Sequence, residues 1–272
     1  MGRTDRALVL ARGLGSRMRA EDPSVHLTPE QEKAASAGLK ALIPIAGRPF
    51  LDYVLASLAD AGIRTVGLVI APGENPLHTY YASARVRVAI DFLIQAEPRG
   101  TADALLAAEA WAGDQPFLTL NSDNLYPTEA LRALVDLDEP GLPVFDRDEM
   151  LASSNIPHDR VKSFALVEVN AAGYMTRIVE KPSAAEIPPP GSPMWLSMNC
   201  WRFDARIFPA CRAVAPSPRG ELELPLAVML AVTRGVPFRA VPARGPVLDL
   251  SRRGDTPEVV RQVQQQQLHL EP

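Results

Sequence analysis

The sequence predicts an α/β fold, with a mixed, mainly parallel sheet flanked by helices on both faces in a single domain. Three observations carry this. Short apolar runs at residues 7–11, 65–71 and 116–120 have the length and composition of buried parallel strands. Residues 50–61 and the alanine- and leucine-rich residues 101–112 have apolar side chains at helical spacing and fall between those runs. The resulting strand–helix–strand order is the rhythm of a parallel sheet.

Each element follows in order. Residues 7–11 form the first strand and feed a loop containing Gly13 and Gly15. Glycines there let the backbone turn tightly and approach a ligand, and exposed N–H groups can hold phosphate oxygens. The helix at 50–61 ends at Gly62, a natural C-cap. Residues 65–71 form the second strand, 86–95 alternate into a third, and 101–112 form the next helix. Residues 116–120 return as strand and lead into Asn121-Ser122-Asp123-Asn124. Ligands in such sheets bind at the carboxyl ends of strands, where both the glycine loop and this tetrapeptide fall.

The second half changes character. Residues 163–169 and 174–180 flank Asn170-Ala171-Ala172-Gly173, a hairpin turn, and 195–203 form another strand. Residues 221–234 read as a helix with Pro225 in its first turn. Residues 258–268 read as a terminal helix whose glutamine run is a solvated face. Pro188, Pro189 and Pro190 mark a stiff connection. Residues 20–38 are polar and irregular, either a mobile flap or a tolerated insertion.

Composition excludes several functions. With 47% hydrophobic and 22% charged residues in 272, the chain is an ordinary soluble protein with a substantial core. A net charge of −4 argues against nucleic-acid binding. Positive charge is local, at Arg12, Arg17, Arg19 and Lys40. Cys200 and Cys211 make neither a disulfide framework nor a zinc site. The four histidines lie far apart, without metal-ligand spacing. No apolar run approaches the about 18 residues of a membrane span, and there is no secretory signal, so the expected location is cytoplasmic.

The glycine loop is not specific alone. Met18 stands where a dinucleotide fingerprint has its third glycine, and no Gly-Lys-Ser/Thr follows as in a Walker A loop. Specificity comes from an ordered series: Lys40-Ala41-Leu42 with Pro44; Gln95 with Pro98-Arg99-Gly100-Thr101-Ala102-Asp103-Ala104; Ser122-Asp123-Asn124; Glu180-Lys181-Pro182; Ser197-Met198-Asn199; Pro216-Ser217-Pro218-Arg219-Gly220-Glu221; and Asp249.

With this series in the same order over residues 7–255, the chain resembles the sugar-1-phosphate nucleotidyltransferases, or nucleoside-diphosphate-sugar pyrophosphorylases. The resemblance implies a Rossmann-like, nucleotide-diphospho-sugar-transferase type of fold. It assigns residues 1–125 to a nucleotide-binding half, and 126–272 to a sugar-phosphate-binding half with a C-terminal helix. The implied reaction is Mg²⁺-dependent transfer of a nucleotidyl group from an NTP to a sugar 1-phosphate or sugar-like cyclitol phosphate, releasing pyrophosphate. Such chemistry is mostly positioning and charge neutralisation.

By resemblance, Ala11, Gly13, Gly15, Ser16, Gln95, Gly100 and Thr101 bind the nucleotide. The Gln95 amide pairs with the base edge, and Gly100 lets the ring approach. Arg17 stabilises the leaving pyrophosphate, and Lys40 reaches the phosphates from the next strand. Asp123 and Asp249 hold Mg²⁺. Glu180 accepts from sugar hydroxyls, Lys181 pairs with the sugar phosphate, and Asn199 contacts the sugar region. Glu221 either caps a helix or touches the sugar.

Four features depart from the family pattern. Arg12 replaces the first loop glycine, bringing strain if φ is positive there or a phosphate contact if it is not. Asn121-Ser122 precede the metal aspartate, and residues 20–38 are long. Ser251 and Arg252 also follow Asp249 in place of Thr-Gly. Two alternatives follow: a catalytically silent nucleotide-binding relative acting as sensor or partner subunit, or transfer to a non-sugar phosphate. The base stays undecided, and homo-oligomer formation stays open. A chain ending near residue 272 implies no β-helix domain and no acyltransferase activity.

Overall fold

The first apolar run becomes strand β1 (Arg6–Leu10) in the interior of a ten-stranded sheet. The computed structural model describes residues 2–183, 185–189, 192–266 and 268–271; Pro190 lies outside them. Ala7 and Val9 enter the core on one face of the sheet and Leu8 the core on the other, the alternation of a strand covered on both sides. Strand β2 (Thr65–Ile70) pairs with β1 in parallel, and β3 (Ala89–Ile94) extends the sheet beyond β2. Strand β4 (Phe117–Asn121) lies parallel on the other side of β1.

The second half supplies β5 (Gly141–Asp146), β6 (Ala165–Val169), β7 (Met175–Val179), β8 (Trp195–Ser197), β9 (Trp201–Phe203) and β10 (Arg239–Ala243). The order across the sheet is β7-β6-β8-β5-β9-β4-β1-β2-β3, with β10 parallel to β5. Strand β9 joins the halves, antiparallel to both β4 and β5. Most paired residues of this sheet are in parallel register, and every antiparallel pairing in it involves at least one strand of the second half. The fold is thus a mixed, mostly parallel sheet between helices.

Helix Phe50–Asp60 is buried along nearly its whole length and faces one core. Helices Thr101–Leu106, Phe208–Ala213 and Leu224–Thr233 cover the other. The Asn170–Gly173 turn forms as expected: the Asn170 carboxamide oxygen accepts from the N–H groups of Ala172 and Tyr174, and Gly173 takes φ +81°.

Several expected elements are shorter or broken. The 101–112 helix splits into Thr101–Leu106 and Glu109–Ala112, where the Ala108 N–H bonds the carbonyl of Leu105, three residues back. The 195–203 strand divides into β8 and β9 because Asn199, at φ +59°, turns the chain. The helix expected from residue 221 starts at Leu224. The terminal helix is Thr256–Val263; bonds from Gln265 and Gln266 to carbonyls three residues back close it, and Gln267 lies outside the described residues.

Residues 20–38 are not irregular throughout, as expected, but contain helix Pro29–Ser36. Thr28 caps it by accepting from the Gln31 N–H, while the Gln31 side chain accepts from the Thr28 N–H. Buried Arg253 ties the segment down. It donates to the Met18 carbonyl (3.0 Å) and the Ser36 hydroxyl (3.0 Å), and pairs with Glu32.

Candidate active site

Parallel pairing places Leu10 beside Asn121, so the glycine loop and the segment carrying Asp123 leave the sheet together. The Ser122 N–H, bonded to the Leu10 carbonyl at 3.1 Å, extends that contact past the strand ends. Gly15 has φ +63°, and a Cβ there would lie 2.3 Å from the Gly38 oxygen, so the fold itself requires glycine. A Cβ at Gly13 would meet no protein atom within 4 Å. Ser16 and Arg17 open the short helix Ser16–Arg19, and both are exposed.

Arg12 resolves without strain, because its φ is not positive. Its guanidinium turns from the loop and donates to the carbonyls of Gln95 (2.7 Å) and Ala96 (2.9 Å). Gln95 is buried, and its amide nitrogen donates to the Asp103 carboxylate (2.8 Å) and the Gly100 carbonyl (3.1 Å). Gly100, at φ +123°, has its Cβ direction filled by the Leu222 backbone, whose oxygen would lie 2.4 Å from a Cβ, so the fold itself requires glycine there. Thr101 accepts from the Leu224 N–H (2.8 Å), capping helix Leu224–Thr233.

The two expected metal carboxylates line one cleft. Lys40 opens a single helical turn, Lys40–Leu42, where a strand was expected, and its ammonium donates to Asp123 Oδ2 at 2.8 Å. The pair Leu248–Asp249 lies antiparallel to Asn124–Leu125, and the Leu250 N–H bonds the Asp123 carbonyl (2.9 Å). Asn155 clamps the Asp249 backbone with two bonds of 2.8 Å. Arg160 donates to Asp249 Oδ1 (2.7 Å) and to Asp255 (2.8 Å). Burial works against the charge on Arg160, but the two aspartates outweigh it and hold its pKa above the ordinary value. Burial, reinforced by Asp249, raises the Asp255 carboxyl against the opposing pull of Arg160. Two carboxylates beside the Asn121 and Asn124 amides have the chemistry that would suit Mg²⁺, whose remaining positions would come from phosphate and water. No third acidic, histidine or cysteine side chain completes an all-protein cage among the described residues.

A second cleft adjoins the first, and the two share Arg17, Asn121, Ser163, Glu180 and Asn199. Lys181, Arg219, Glu221 and Glu223 line only the second. Lys181 (φ +48°) and Asn199 (φ +59°) are two of three non-glycines with positive φ among the described residues, so backbone strain concentrates here. Burial pushes the Glu180 carboxyl above its ordinary range and Glu223 adds to this, while Arg219 and Lys181 oppose it. Glu223 moves the other way: bonds from Ser217 and Arg219 overcome its burial. Glu221 does not cap the helix, whose N-cap position is Glu223, and it lines the second cleft.

The structure thus brings Arg17, Thr101, Asp123, Glu180, Lys181, Asn199 and Asp249 to the clefts, with Lys40 joined through Asp123. Ala11 continues from β1 and bonds the Val69 carbonyl (2.9 Å). Gln95 and Gly100 lie behind Arg12 and line neither cleft. Sequence reasoning missed Arg160 and Asn155. They lie 89 and 94 residues from Asp249, and no local pattern announces them.

A doubly covered, mostly parallel sheet with cations and carboxylates meeting at its strand ends defines an α/β protein with a charged cleft where such sheets bind their ligands. The family model described as Nucleotidyl transferase matches residues 6–246, and the chain belongs to that family. It is 29% identical to a glucose-1-phosphate thymidylyltransferase of Streptomyces antibioticus, over 95% of this chain and 66% of the relative. It is 27% identical to a UTP–glucose-1-phosphate uridylyltransferase of Haloferax volcanii, over 96% of this chain and 97% of that one. The chain spans 58% and 66% of the length of the first two curated relatives it matches. A crystal structure of UDP-glucose pyrophosphorylase complexed with UDP-glucose superposes with a TM-score of 0.76 at 16% identity, over 97% of this chain and 99% of that one, and so shares the fold. Among the described residues no helix is long and apolar enough to cross a membrane.

Proposed function

We propose that this protein transfers a nucleotidyl group from an NTP to a sugar 1-phosphate, or a sugar-like cyclitol phosphate, forming a nucleotide sugar and pyrophosphate. One observation carries the reading. The cleft holding Asp123 and Asp249 runs into the cleft holding Glu180, Lys181 and Asn199, with Arg17 lining both. Names of relatives with both a thymidylyl and a uridylyl donor support the reaction class and leave the base open.

In this reading residues 1–125 bind the nucleotide and 126–272 the acceptor. The open space beside Gly13 lets triphosphate approach the backbone, with Ala11, Gly15 and Ser16 shaping the loop. Lys40 is the movable cation: it leaves Asp123 for the phosphates when the nucleotide enters. Lys181 pairs with the acceptor phosphate, while Glu180 and Asn199 take sugar hydroxyls. A phosphate oxygen of the acceptor attacks the α-phosphorus in line, the bond to the β-phosphate oxygen breaks, and Arg17 receives the departing pyrophosphate. Asp123 and Asp249 would hold Mg²⁺, which supplies charge neutralisation on the phosphates when bound. Gln95 and Gly100 act from behind, fixing the wall against which the base lies, while Thr101 meets the nucleotide from the cleft that it lines. The expected setting is the cytoplasm.

The test is pyrophosphate release across the common NTPs and a panel of sugar 1-phosphates, a cyclitol phosphate and phosphocholine, with Mg²⁺ present. Turnover with one NTP and a sugar or cyclitol phosphate is the expected result. Turnover with phosphocholine alone identifies a non-sugar acceptor. Tight nucleotide binding without turnover identifies a silent binding protein.

A further inference from the structure

The two carboxylates of the first cleft are neutralised in different ways. Asp123 meets Lys40, a single ammonium on a flexible chain. Asp249 meets Arg160, whose two terminal nitrogens are both engaged: one on Asp249 Oδ1 at 2.7 Å, the other on Asp255 Oδ1 at 2.8 Å. The three side chains are 6%, 7% and 8% exposed, so solvent does not weaken the bridge. Asp255 is itself fixed, its other oxygen accepting from the N–H groups of Ser251 (2.9 Å) and Arg252 (2.7 Å). Asn155 holds the Asp249 backbone from the opposite side. Lys40 can therefore swing away, whereas Arg160 is locked in place.

A fixed positive charge beside a carboxylate opposes a divalent cation there unless anions enter too. We propose that Arg160 is a positioning residue that keeps Asp249 from holding metal in the empty cleft, so that the divalent cation binds only together with phosphate. Arg160 also lines the cleft. The guanidinium thus serves two states: it neutralises Asp249 before substrate arrives and adds positive charge once phosphate is present. This rests on the reading of Asp249 as a metal ligand.

The experiment is Mn²⁺ titration of the nucleotide-free protein, followed by the paramagnetic resonance signal of unbound Mn²⁺. Three proteins are compared: wild type, Arg160→Lys, and the double variant Arg160→Gln with Asp255→Asn, which keeps the net charge of the buried group. Circular dichroism establishes that each is folded. The double variant is expected to bind Mn²⁺ at least about tenfold more tightly than wild type, the scale on which groups around a metal site tune affinity. Arg160→Lys, which cannot bridge both aspartates, is expected to fall between them, and it carries the test alone if the double variant does not fold. Loss of a merely structural contact gives no such gain. Equal Mn²⁺ affinity in wild type and every folded variant overturns the proposal. If wild type also releases pyrophosphate in that case, the function stands while the role of Arg160 falls. Tighter Mn²⁺ binding in a protein that turns over no NTP leaves the role of Arg160 standing and removes the function.

Discussion

At the scale of single residues, Gly13 and Gly15 stand two positions apart and lack side chains for different reasons. Gly15 is demanded by its φ of +63° and by the Gly38 backbone against it, whereas nothing in the protein crowds Gly13. Gly15→Ala is therefore expected to lose at least about 1 kcal/mol of stability. Gly13→Ala is expected to change stability by less than about 0.5 kcal/mol while raising the KM for NTP. Thermal unfolding and NTP kinetics on the two variants check the contrast; a destabilised Gly13→Ala with normal KM would reverse the assignment. Glu180 gives a pH prediction. Its folded pKa lies above its unfolded one, through burial first and Glu223 second. The stabilisation from the bound proton is full below the unfolded pKa and is lost as pH rises through the folded value. Glu180→Gln should thus gain stability relative to wild type as pH rises from the unfolded pKa of Glu180 through the folded one. In wild type, the KM for the acceptor should rise as pH falls through the folded pKa, because the protonated carboxyl accepts fewer and weaker hydrogen bonds from sugar hydroxyls than the carboxylate does. A flat stability difference across that interval counts against this account of Glu180.

At the scale of elements, the segment 20–38 shows where the sequence could be read further. Thr28-Pro29-Glu30-Gln31 is a capping box with proline at the first helical position, a local signal strong enough to start a helix, and the helix is there. Strands β1, β2 and β4 were legible because each is a nearly continuous apolar run, buried along most of its length. The division between β8 and β9 was not, because Asn199 gives no local sign of adopting positive φ. Arg253 joins the segment to the C-terminal part of the chain, beside the Gln31 bond to the Pro44 carbonyl and the burial of Ala35. Arg253→Gln, which removes its ion pair with Glu32, is expected to lower stability and to speed amide exchange across residues 20–38 and Met18 more than in β1. Uniform exchange rates in wild type and variant would show that the segment is held by other contacts.

At the scale of the whole molecule, the sheet brings distant stretches of sequence to one place. The motif order at residues 13–17, 40, 123, 180–181, 199 and 249 was readable because each chemistry-bearing residue sits in a short recognisable neighbourhood. The contacts that set the state of those residues were not: Arg160 on Asp249, Arg12 on the Gln95 carbonyl and Leu222 against Gly100 join positions far apart in the chain. What results is two joined clefts, which the proposed function assigns to metal and phosphate and to a hydroxylated acceptor. The central claim, that these clefts carry one nucleotidyl transfer, is tested most directly by the steady-state rate of pyrophosphate release in wild type and Asp123→Asn, with Mg²⁺, NTP and acceptor all present. The expected result is turnover by wild type and a fall of at least about 10²-fold in the variant, the scale of losing one electrostatic stabiliser. Equal rates in the two proteins, or no release by wild type with any NTP, would contradict it.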